Sequence, residues 1–228
     1  MTNIALIPAR GGSKGIIRKN IKWFNTKPLI YWSIKAAFES DFVDRVIVST
    51  EDDEIADIAR SFSAEVPFKR PKKFAEDHSS GMEPVLHALE NLTNVKNILL
   101  LQPTSPLRRT SDIDGIFKFR SSLNAESAVS LSISKKNINL YFEMDSNKRI
   151  YPYSSDLKIL PRQEYGQSYN LNGALYLSTQ ESIMDNKSFI SSDTVGYIMP
   201  EEYSIDIDTP LDWDIGEFLM KKLVWKYL

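Results

Sequence analysis

The chain has 228 residues, is 42% hydrophobic and 25% charged, and carries a formal net charge of −2 at pH 7. This composition is typical of a folded soluble protein, and the balanced charge argues against a general nucleic-acid binder. The chain has no cysteine and only two histidines, which excludes thiolate catalysis and Cys-based metal sites. No apolar run approaches the roughly 20 residues of a membrane span, and the first ten residues lack a signal-peptide pattern. We therefore expect a cytoplasmic protein with no membrane or nucleic-acid partner.

The first part of the chain alternates predicted strands with predicted helices. Ile4–Pro8 and Arg45–Thr50 are short, nearly continuous apolar runs, which are typical of buried strands. Between them, Pro28–Phe38 carries apolar residues at helical spacing. An acid-rich helix follows the second strand, and Thr50 with Asp53 has the spacing of a capping box at its start.

The alternation continues as far as residue 135. We predict a helix over Glu83–Leu92, a strand over Asn97–Gln102, a helix over Ser111–Arg120 and a strand over Ser127–Ile133. Residues 135–168 differ, because they are polar, irregular and rich in Lys, Asn, Ser and Tyr. This stretch is predicted to be a long excursion or an arm that contacts a partner.

Three more strands and a last helix are predicted after the arm. The strands are Gly173–Ser178, Thr194–Met199 and Ser204–Asp208, and the helix opens with Thr209 as its cap and Pro210 at its first position. Strands that alternate with helices predict an α/β fold with a mostly parallel sheet. No linker or internal repeat divides the chain, so we expect a single domain, residues 1–228, with an inserted arm at about 135–168.

Charge is segregated along the chain. Seven bases and no acid precede Glu39, whereas eight acids and no base lie between Ser188 and Met220. The two segments can meet in the folded protein and share a site, or they can be two separate solvated faces.

A glycine-rich turn, Arg10-Gly11-Gly12-Ser13-Lys14, follows the first predicted strand. Ligands of open α/β sheets bind beyond the carboxyl ends of strands, and glycines flanked by cations suit a phosphate group. The nearby Lys19 and Asn20 strengthen this interpretation. Because the turn matches neither a P-loop nor a dinucleotide fingerprint, a turn without a ligand stays an alternative.

Gln102 and Thr104 follow another predicted strand, in a turn stiffened by Pro103 and Pro106. Such a rigid turn can hold Gln102 and Thr104 toward a nucleobase or a ribose. It can equally be a strand-to-helix connection that binds nothing.

Asp206 and Asp208 form the most specific constellation. In a strand their side chains share one face, and two carboxylates on one face repel each other unless a cation lies between them. Mg²⁺ is commonly held by one or two carboxylates together with substrate phosphates. Alternatively, one Asp caps the following helix and the other is solvated. Of the two histidines, His87 is predicted to be structural, and His78 a loop residue near the ligand.

These motifs together resemble the acylneuraminate cytidylyltransferases, which make CMP-activated sialic acids. The likeness lies in IALIPARGGSKGI at 4–16, RVIVSTEDDEIA at 45–56, QPTSPLR at 102–108, PRQ at 161–163, NGALY at 172–176 and SIDIDTPLDW at 204–213. The resemblance implies a three-layer Rossmann-like nucleotidyltransferase fold. It also implies transfer of CMP from CTP to the anomeric hydroxyl of a nine-carbon acidic sugar, with Mg²⁺, by a homodimer whose protomers exchange the arm.

The resemblance assigns roles to particular positions. The catalytic residues it implies are Arg10, Lys19, Asp206 and Asp208, of which the last two hold the metal. The nucleotide-binding residues it implies are Arg10, Gly11, Gly12, Ser13, Lys14, Lys19, Asn20, Arg70, Ser80 and Gln102. The sugar-binding residues it implies are Gln102, Thr104, Arg162, Gln163 and Asn172.

Departures from the family pattern lie on the sugar side. No Arg stands just before the Asn172-Gly173 pair, and an expected sugar-contacting Lys is matched only by the neighbouring Lys135 and Lys136. Legionaminic and pseudaminic acid therefore stand beside N-acetylneuraminate as expected sugars. A non-catalytic nucleotide-binding module is the second hypothesis. A sugar-1-phosphate nucleotidyltransferase is disfavoured, because the G-x-G-[TS]-R loop typical of those enzymes is absent.

Overall fold

The computed structural model describes residues 1–153 and 166–225. In chain order its strands are β1 (Thr2–Pro8), β2 (Trp23–Phe24), β3 (Lys27–Pro28), β4 (Arg45–Ser49), β5 (Val95–Leu100), β6 (Ser127–Ile133), β7 (Phe142–Met144), β8 (Ile150–Pro152), β9 (Tyr169–Thr179) and β10 (Thr194–Ile198). Its α-helices are α1 (Leu29–Phe38), α2 (Asp53–Ser61), α3 (Glu83–Asn91), α4 (Thr110–Ser122), α5 (Gln180–Asn186) and α6 (Pro210–Trp225). Among these residues, no helix has the length and apolarity needed to cross a membrane.

Six strands form the central sheet, in the order β10-β6-β9-β5-β1-β4. β1 pairs in parallel with β4 and β5, and β10 pairs in parallel with β6. β9 runs antiparallel to both of its neighbours, β5 and β6. The predicted α/β fold with a mostly parallel sheet is confirmed.

Helices cover both faces of this sheet. Along β1, Ile4 and Leu6 pack with residues of α3 and α5, whereas Ala5 and Ile7 pack with residues of α1, α2 and α4. All four side chains are fully buried. A strand that is buried on both faces has no polar side, which explains why β1 is a continuous apolar run in the sequence. The result is the expected three-layer architecture.

The sheet brings distant loops to one edge. β1, β4 and β5 are parallel neighbours, so the turns that follow Pro8, Ser49 and Leu100 all leave the sheet at its carboxyl edge. These turns carry the glycine-rich segment, an acidic segment and the Gln102 turn. Asp52, rather than the predicted Thr50, caps α2, because its carboxylate is the group that accepts a hydrogen bond within the first turn of the helix (3.0 Å).

The prediction of a strand over Ser204–Asp208 was wrong. The segment links a short 3₁₀ helix to α6, and the amide of Ile207 donates to the carbonyl of Thr104 (2.8 Å) instead of pairing with a strand. The alternation of the side chains is nevertheless kept. Ile207 is fully buried, whereas Asp206 and Asp208 are exposed and accessible for a ligand.

The predicted arm contains a β-hairpin made of β7 and β8. Phe142, Met144, Ile150 and Tyr151 of this hairpin all have exposed side chains. Residues 154–165 lie outside the described residues. Two predicted sugar-binding residues, Arg162 and Gln163, fall in that range, so the structure does not place them.

Candidate active site

A cleft of about 460 Å³ opens at the carboxyl edge of the sheet. Most of the predicted nucleotide and metal residues line it. They are Arg10, Ser13, Lys14, Lys19, Asn20, Arg70, Ser80, Gln102, Asp206 and Asp208, and Thr104, predicted to bind sugar, lines the cleft as well. These side chains come from both ends of the sequence and from three turns between them. A cleft of this size that collects cations, carboxylates and amides is suited to a small, highly charged ligand.

Lys19 joins the basic segment to the acidic one. Its Nζ donates to the carbonyl of Ile207 (2.6 Å) and to Oδ1 of Asp208 (3.0 Å), and its side chain is only 12% exposed. The backbones approach closely at the same point, because a Cβ on Gly15 would lie 2.5 Å from the carbonyl oxygen of Asp208. The two oppositely charged segments therefore meet in one site, which settles the alternative left open by the sequence.

A buried side chain fixes the start of the glycine-rich turn. The buried Asn20 donates from Nδ2 to the carbonyl of Arg10 (2.9 Å). Gly11 and Gly12, predicted to bind nucleotide, are not among the residues that line the cleft, whereas Gly15 is. Asn20 thus lines the cleft and also fixes the turn.

Arg10 and Lys14 share one carboxylate. Arg10 Nη1 lies 3.0 Å from Oδ1 of Asp77, and Lys14 Nζ lies 2.5 Å from its Oδ2. The hydrogen bond from Lys14 and the positive charges of both bases lower the pKa of Asp77. In this structure, the Asp77 carboxylate pairs with Arg10 and Lys14, two cations that the family resemblance assigns to nucleotide binding.

Arg18 does not line this cleft. It adopts a left-handed backbone conformation (φ 55°), and its guanidinium bonds to both carboxylate oxygens of Asp52 and to Glu54. The Arg18 hydrogen bonds hold the pKa of Asp52 below its usual value. Arg18 therefore anchors the end of the glycine-rich segment to α2.

Gln102 and Asp206 flank Gly173 of β9. Gly173 has a φ of +74°, and a Cβ there would lie 2.7 Å from Oε1 of Gln102 and 3.5 Å from Oδ2 of Asp206. Any side chain at this position would be strained by the backbone and would push into the cleft. Gly173 of the NGALY motif therefore leaves room for the side chains of Gln102 and Asp206. The sequence analysis did not assign this role to Gly173.

Arg108 is a residue that the sequence analysis missed. It is buried and donates to the carbonyls of Ala174 (2.6 Å) and Gln102 (3.4 Å) and to the hydroxyl of Ser33 (2.6 Å). Burial lowers the pKa of Arg108. It ties the Gln102 turn to β9. The sequence did mark this position, because Arg108 is the last residue of the proline-containing QPTSPLR motif.

The two aspartates offer a donor set that suits Mg²⁺. Desolvation within the cleft and the charge of Asp208 raise the pKa of Asp206, although a hydrogen bond with Thr104 opposes this shift. A divalent cation would relieve the same repulsion, and carboxylate oxygen is the ligand that Mg²⁺ prefers. Across the described residues, no group of three or more His, Cys, Asp or Glu side chains is placed to hold a metal. An ion at Asp206 and Asp208 would therefore need further oxygens from substrate and water.

Asn172, predicted to bind sugar, does not reach the cleft. Its side chain is 4% exposed, accepts a hydrogen bond from Ser130 (2.6 Å) and donates one to Ser204 (2.9 Å). Because both ends of the amide are engaged inside the protein, Asn172 has a structural position. Its side chain supports the segment that leads to the two aspartates.

The two histidines also lie outside the cleft lining. His87 packs edge-on against Phe68 and is tilted against Phe74, which agrees with the predicted structural role. His78 is 84% exposed and pairs with Glu76 (3.2 Å). His78 is thus a loop residue between Asp77 and Ser79, which both line the cleft, and its closeness to a ligand stays a prediction.

A second cavity, of about 870 Å³, is lined in part by the arm. Lys135, Lys136 and Tyr141 of the arm line this space together with Glu201, Glu202 and Asp212, and Lys135 forms an ion pair with Glu201. The two lysines are the ones that the sequence comparison placed near an expected sugar contact. The cavity is larger than the nucleotide cleft and has a more apolar lining, so the two compartments suit different chemical groups.

Comparison with known proteins agrees with this geometry. The family model described as cytidylyltransferase matches residues 4–216. The N-acylneuraminate cytidylyltransferase of Escherichia coli O18:K1:H7 is 32% identical over 96% of this chain, which covers 52% of the length of that protein. The CMP-N,N'-diacetyllegionaminic acid synthase of Legionella pneumophila is 35% identical, with 97% of each protein covered.

A solved structure shows the same fold at low sequence identity. CMP:2-keto-3-deoxy-manno-octonic acid synthetase, whose structure was determined in complex with CTP, superposes with a TM-score of 0.73 at 16% identity, covering 97% of this chain and 99% of that one. The family model spans most of the sequence, and the Legionella relative matches along nearly its whole length. This chain therefore belongs to the cytidylyltransferase family, together with enzymes that activate N-acylneuraminate and N,N'-diacetyllegionaminate.

Proposed function

We propose that this protein transfers CMP from CTP to the anomeric hydroxyl of a nine-carbon acidic sugar and releases pyrophosphate. The observation that carries the proposal is the meeting of the basic turn and the two aspartates in one cleft, joined by Lys19 and Asp208 at 3.0 Å. A module that only binds a nucleotide has no need of two carboxylates beside its phosphate site. Both relatives described above activate sugars of this class.

Charge neutralisation and positioning account for the chemistry. In the reaction, the anomeric hydroxyl loses its proton to solvent and its oxygen forms a bond to the α-phosphorus of CTP. The bond from that phosphorus to the bridging oxygen of pyrophosphate breaks, and its electron pair leaves with pyrophosphate. Arg10, Lys14 and Lys19 line the cleft as cations for the triphosphate and the departing pyrophosphate. Gln102, fixed through Arg108, orients the nucleoside or the incoming sugar.

Asp206 and Asp208 would hold Mg²⁺. When bound, the ion would neutralise phosphate charge and lower the pKa of a coordinated hydroxyl. The chain's own contribution is the placement of the two carboxylates, which the buried Ile207 and the Ile207–Thr104 hydrogen bond set at the cleft wall.

The arm-lined cavity is the proposed sugar side, and the arm is the proposed dimer contact. A nine-carbon acid carries a carboxylate, for which Lys136 provides positive charge, whereas Lys135 is already paired with Glu201. The exposed apolar hairpin suits a second copy of the chain, as the family resemblance implies. Because CTP is an intracellular nucleotide, we place the reaction in the cytoplasm.

The test is a pyrophosphate-release assay with purified protein, CTP, Mg²⁺ and a panel of N-acetylneuraminic, legionaminic and pseudaminic acids. At least one sugar should support turnover, and the sugar with the highest kcat/KM identifies the substrate. Folded protein that is silent with the whole panel would refute the proposal. CTP binding that is independent of Mg²⁺, without turnover, would favour the non-catalytic module.

A further inference from the structure

Glu51 is an acid that does not line the cleft itself but bonds to Arg70, which does. It follows β4 at the carboxyl edge of the sheet, and its side chain is only 13% exposed. One carboxylate oxygen accepts a hydrogen bond from the amide of Gly11 (2.8 Å), and the other accepts from Nη2 of Arg70 (2.6 Å). A single side chain therefore ties the glycine-rich turn to the cleft arginine, residues that lie 40 positions before it and 19 positions after it.

Arg70 depends on this contact for its orientation. It lines the cleft although its side chain is only 3% exposed, and its Nε is buried without a hydrogen-bond partner. Within the described part of the chain, the bond to Glu51 is the one hydrogen bond that its guanidinium makes. Without that bond, a long flexible side chain would have to be ordered each time a ligand arrives.

The contact with Gly11 also changes how the turn binds phosphate. The family resemblance implies that Gly11 binds the nucleotide, but the amide of Gly11 already donates to Glu51. The neighbouring Asp52 holds the other end of the turn through Arg18. Two consecutive acids thus fix both ends of the loop from Gly11 to Arg18, which carries Lys14, while Arg10 and Lys19 stand just outside its two ends.

We infer that Glu51 is a positioning residue for CTP, which sets the geometry of the glycine-rich turn and of Arg70 without touching the nucleotide. The inference rests on the proposed function. An unpaired carboxylate here would repel a triphosphate, but Arg70 already neutralises Glu51, so the remaining repulsion is small. Losing a charge-assisted hydrogen bond is worth about tenfold to one hundredfold in an equilibrium constant, so the ordering effect dominates.

Glu51→Gln tests this directly. Glutamine has the shape of glutamate but one acceptor oxygen instead of two, so the variant must give up either the Gly11 or the Arg70 contact. The Kd of CTP, measured by calorimetry without sugar, should rise about tenfold to one hundredfold. The KM for CTP should rise in parallel, while the KM for sugar stays near that of the parent. The Tm should fall, because the variant leaves the buried Arg70 without its carboxylate. A general loss of structure would not produce this split.

Asp53→Asn is the matched control. It removes the same charge two residues away, from a side chain that is 82% exposed and paired with the exposed Lys69, so the Kd of CTP should not change. Arg70→Met completes a double-mutant cycle. If Glu51 acts through Arg70, the double variant should bind CTP about as weakly as Arg70→Met alone.

Three results would overturn the inference: parent-like CTP affinity in Glu51→Gln, fully additive effects in the cycle, or an equal effect from Asp53→Asn. If Glu51→Gln does not fold, Glu51→Asp decides, because it keeps the charge on a shorter stem that cannot span both contacts. A raised Kd in that variant supports the inference, and a parent-like Kd refutes it. If the parent protein binds CTP but turns over no sugar, only the proposed function fails, since the Kd readout needs no sugar.

Discussion

The nucleotide cleft and the arm-lined cavity are built in different ways. The cleft is walled by core-anchored turns whose side chains bond to each other across the sequence, such as Lys19 to Asp208 and Arg108 to the Gln102 carbonyl. The second cavity is walled in part by the arm, where Lys135 is exposed and Tyr141 is half exposed. One compartment is completed by the chain's own fold, and the other has an open side.

This difference indicates how the two recognition tasks are divided. A triphosphate has a fixed shape and charge, so a rigid set of cations on a buried frame suits it. Sugar substituents differ among nine-carbon acids, and the sequence departs from the family pattern at the start of the arm and just after its end, before Asn172. Under the proposed function, variants of the cleft should alter CTP kinetics, whereas variants of the arm should alter sugar kinetics alone.

The largest expected effect is at the two aspartates. Asp206→Asn and Asp208→Asn should each lower kcat about one hundredfold or more, because loss of a metal-binding carboxylate removes several kcal/mol of charge stabilisation. Initial rates of pyrophosphate release at saturating CTP and sugar measure this. Asp214→Asn, an exposed acid on α6, is the control and should retain parent activity.

Asp206→Asn should also be at least as stable as the parent at pH 7. Desolvation raises the folded-state pKa of Asp206, so its ionised form destabilises the folded protein above that pKa. Below the unfolded-state pKa of about 3.9 the group is protonated in both states, and the difference disappears. Tm measured in metal-free buffer between pH 4 and pH 8 should show this convergence. A variant less stable than the parent at pH 7 would show that Asp206 supports the fold.

Arg10→Ala should weaken CTP binding by about tenfold, the value of one charge-assisted contact to phosphate. Calorimetric titration of CTP measures the change, and the KM for sugar should stay constant. Arg60→Ala is the matched control, because Arg60 is exposed on α2 and paired with Asp57 away from the cleft. Unchanged CTP affinity in Arg10→Ala would show that the glycine-rich segment is only a turn.

The sequence was sufficient for the strands of the sheet and for the cations of the cleft. β1 and β5 are buried on both faces, so their apolar runs and the following turns could be predicted locally. The structures of Asn172 and of Ser204–Asp208 could not be predicted locally. Their hydrogen bonds go to Ser130 and Thr104, which are distant in sequence. Motif matching marks a position as part of a site without saying whether its side chain faces the ligand or the core.

Variants of the arm should change assembly and sugar kinetics and leave CTP binding unchanged. Met144 and Ile150 are paired across the hairpin, and both are exposed, at 60% and 62%. If the arm forms the proposed dimer contact, changing both to Ser should give a monomer in light scattering where the parent is a dimer, and should raise the KM for sugar several-fold. The Kd of CTP should not move, since no hairpin residue lines the nucleotide cleft. A dimer with parent sugar kinetics would remove the proposed role of the arm.

The smallest expected effect is a gain in affinity. Asp77 pairs with Arg10 and Lys14, so CTP must displace its carboxylate before the phosphates reach those cations. The Asp77 side chain is 46% exposed, and exposed ion pairs contribute little, so Asp77→Asn should tighten CTP binding by only about two- to fivefold. The gain should shrink as ionic strength rises, because salt screens the pair in the parent. Asp57→Asn is the control, because Asp57 is an exposed acid on α2 that pairs with Arg60 away from the cleft, and it should bind CTP as the parent does. Weaker binding in Asp77→Asn would mean that Asp77 holds Arg10 and Lys14 in place for the nucleotide, and the cleft would then have a second positioning acid beside Glu51.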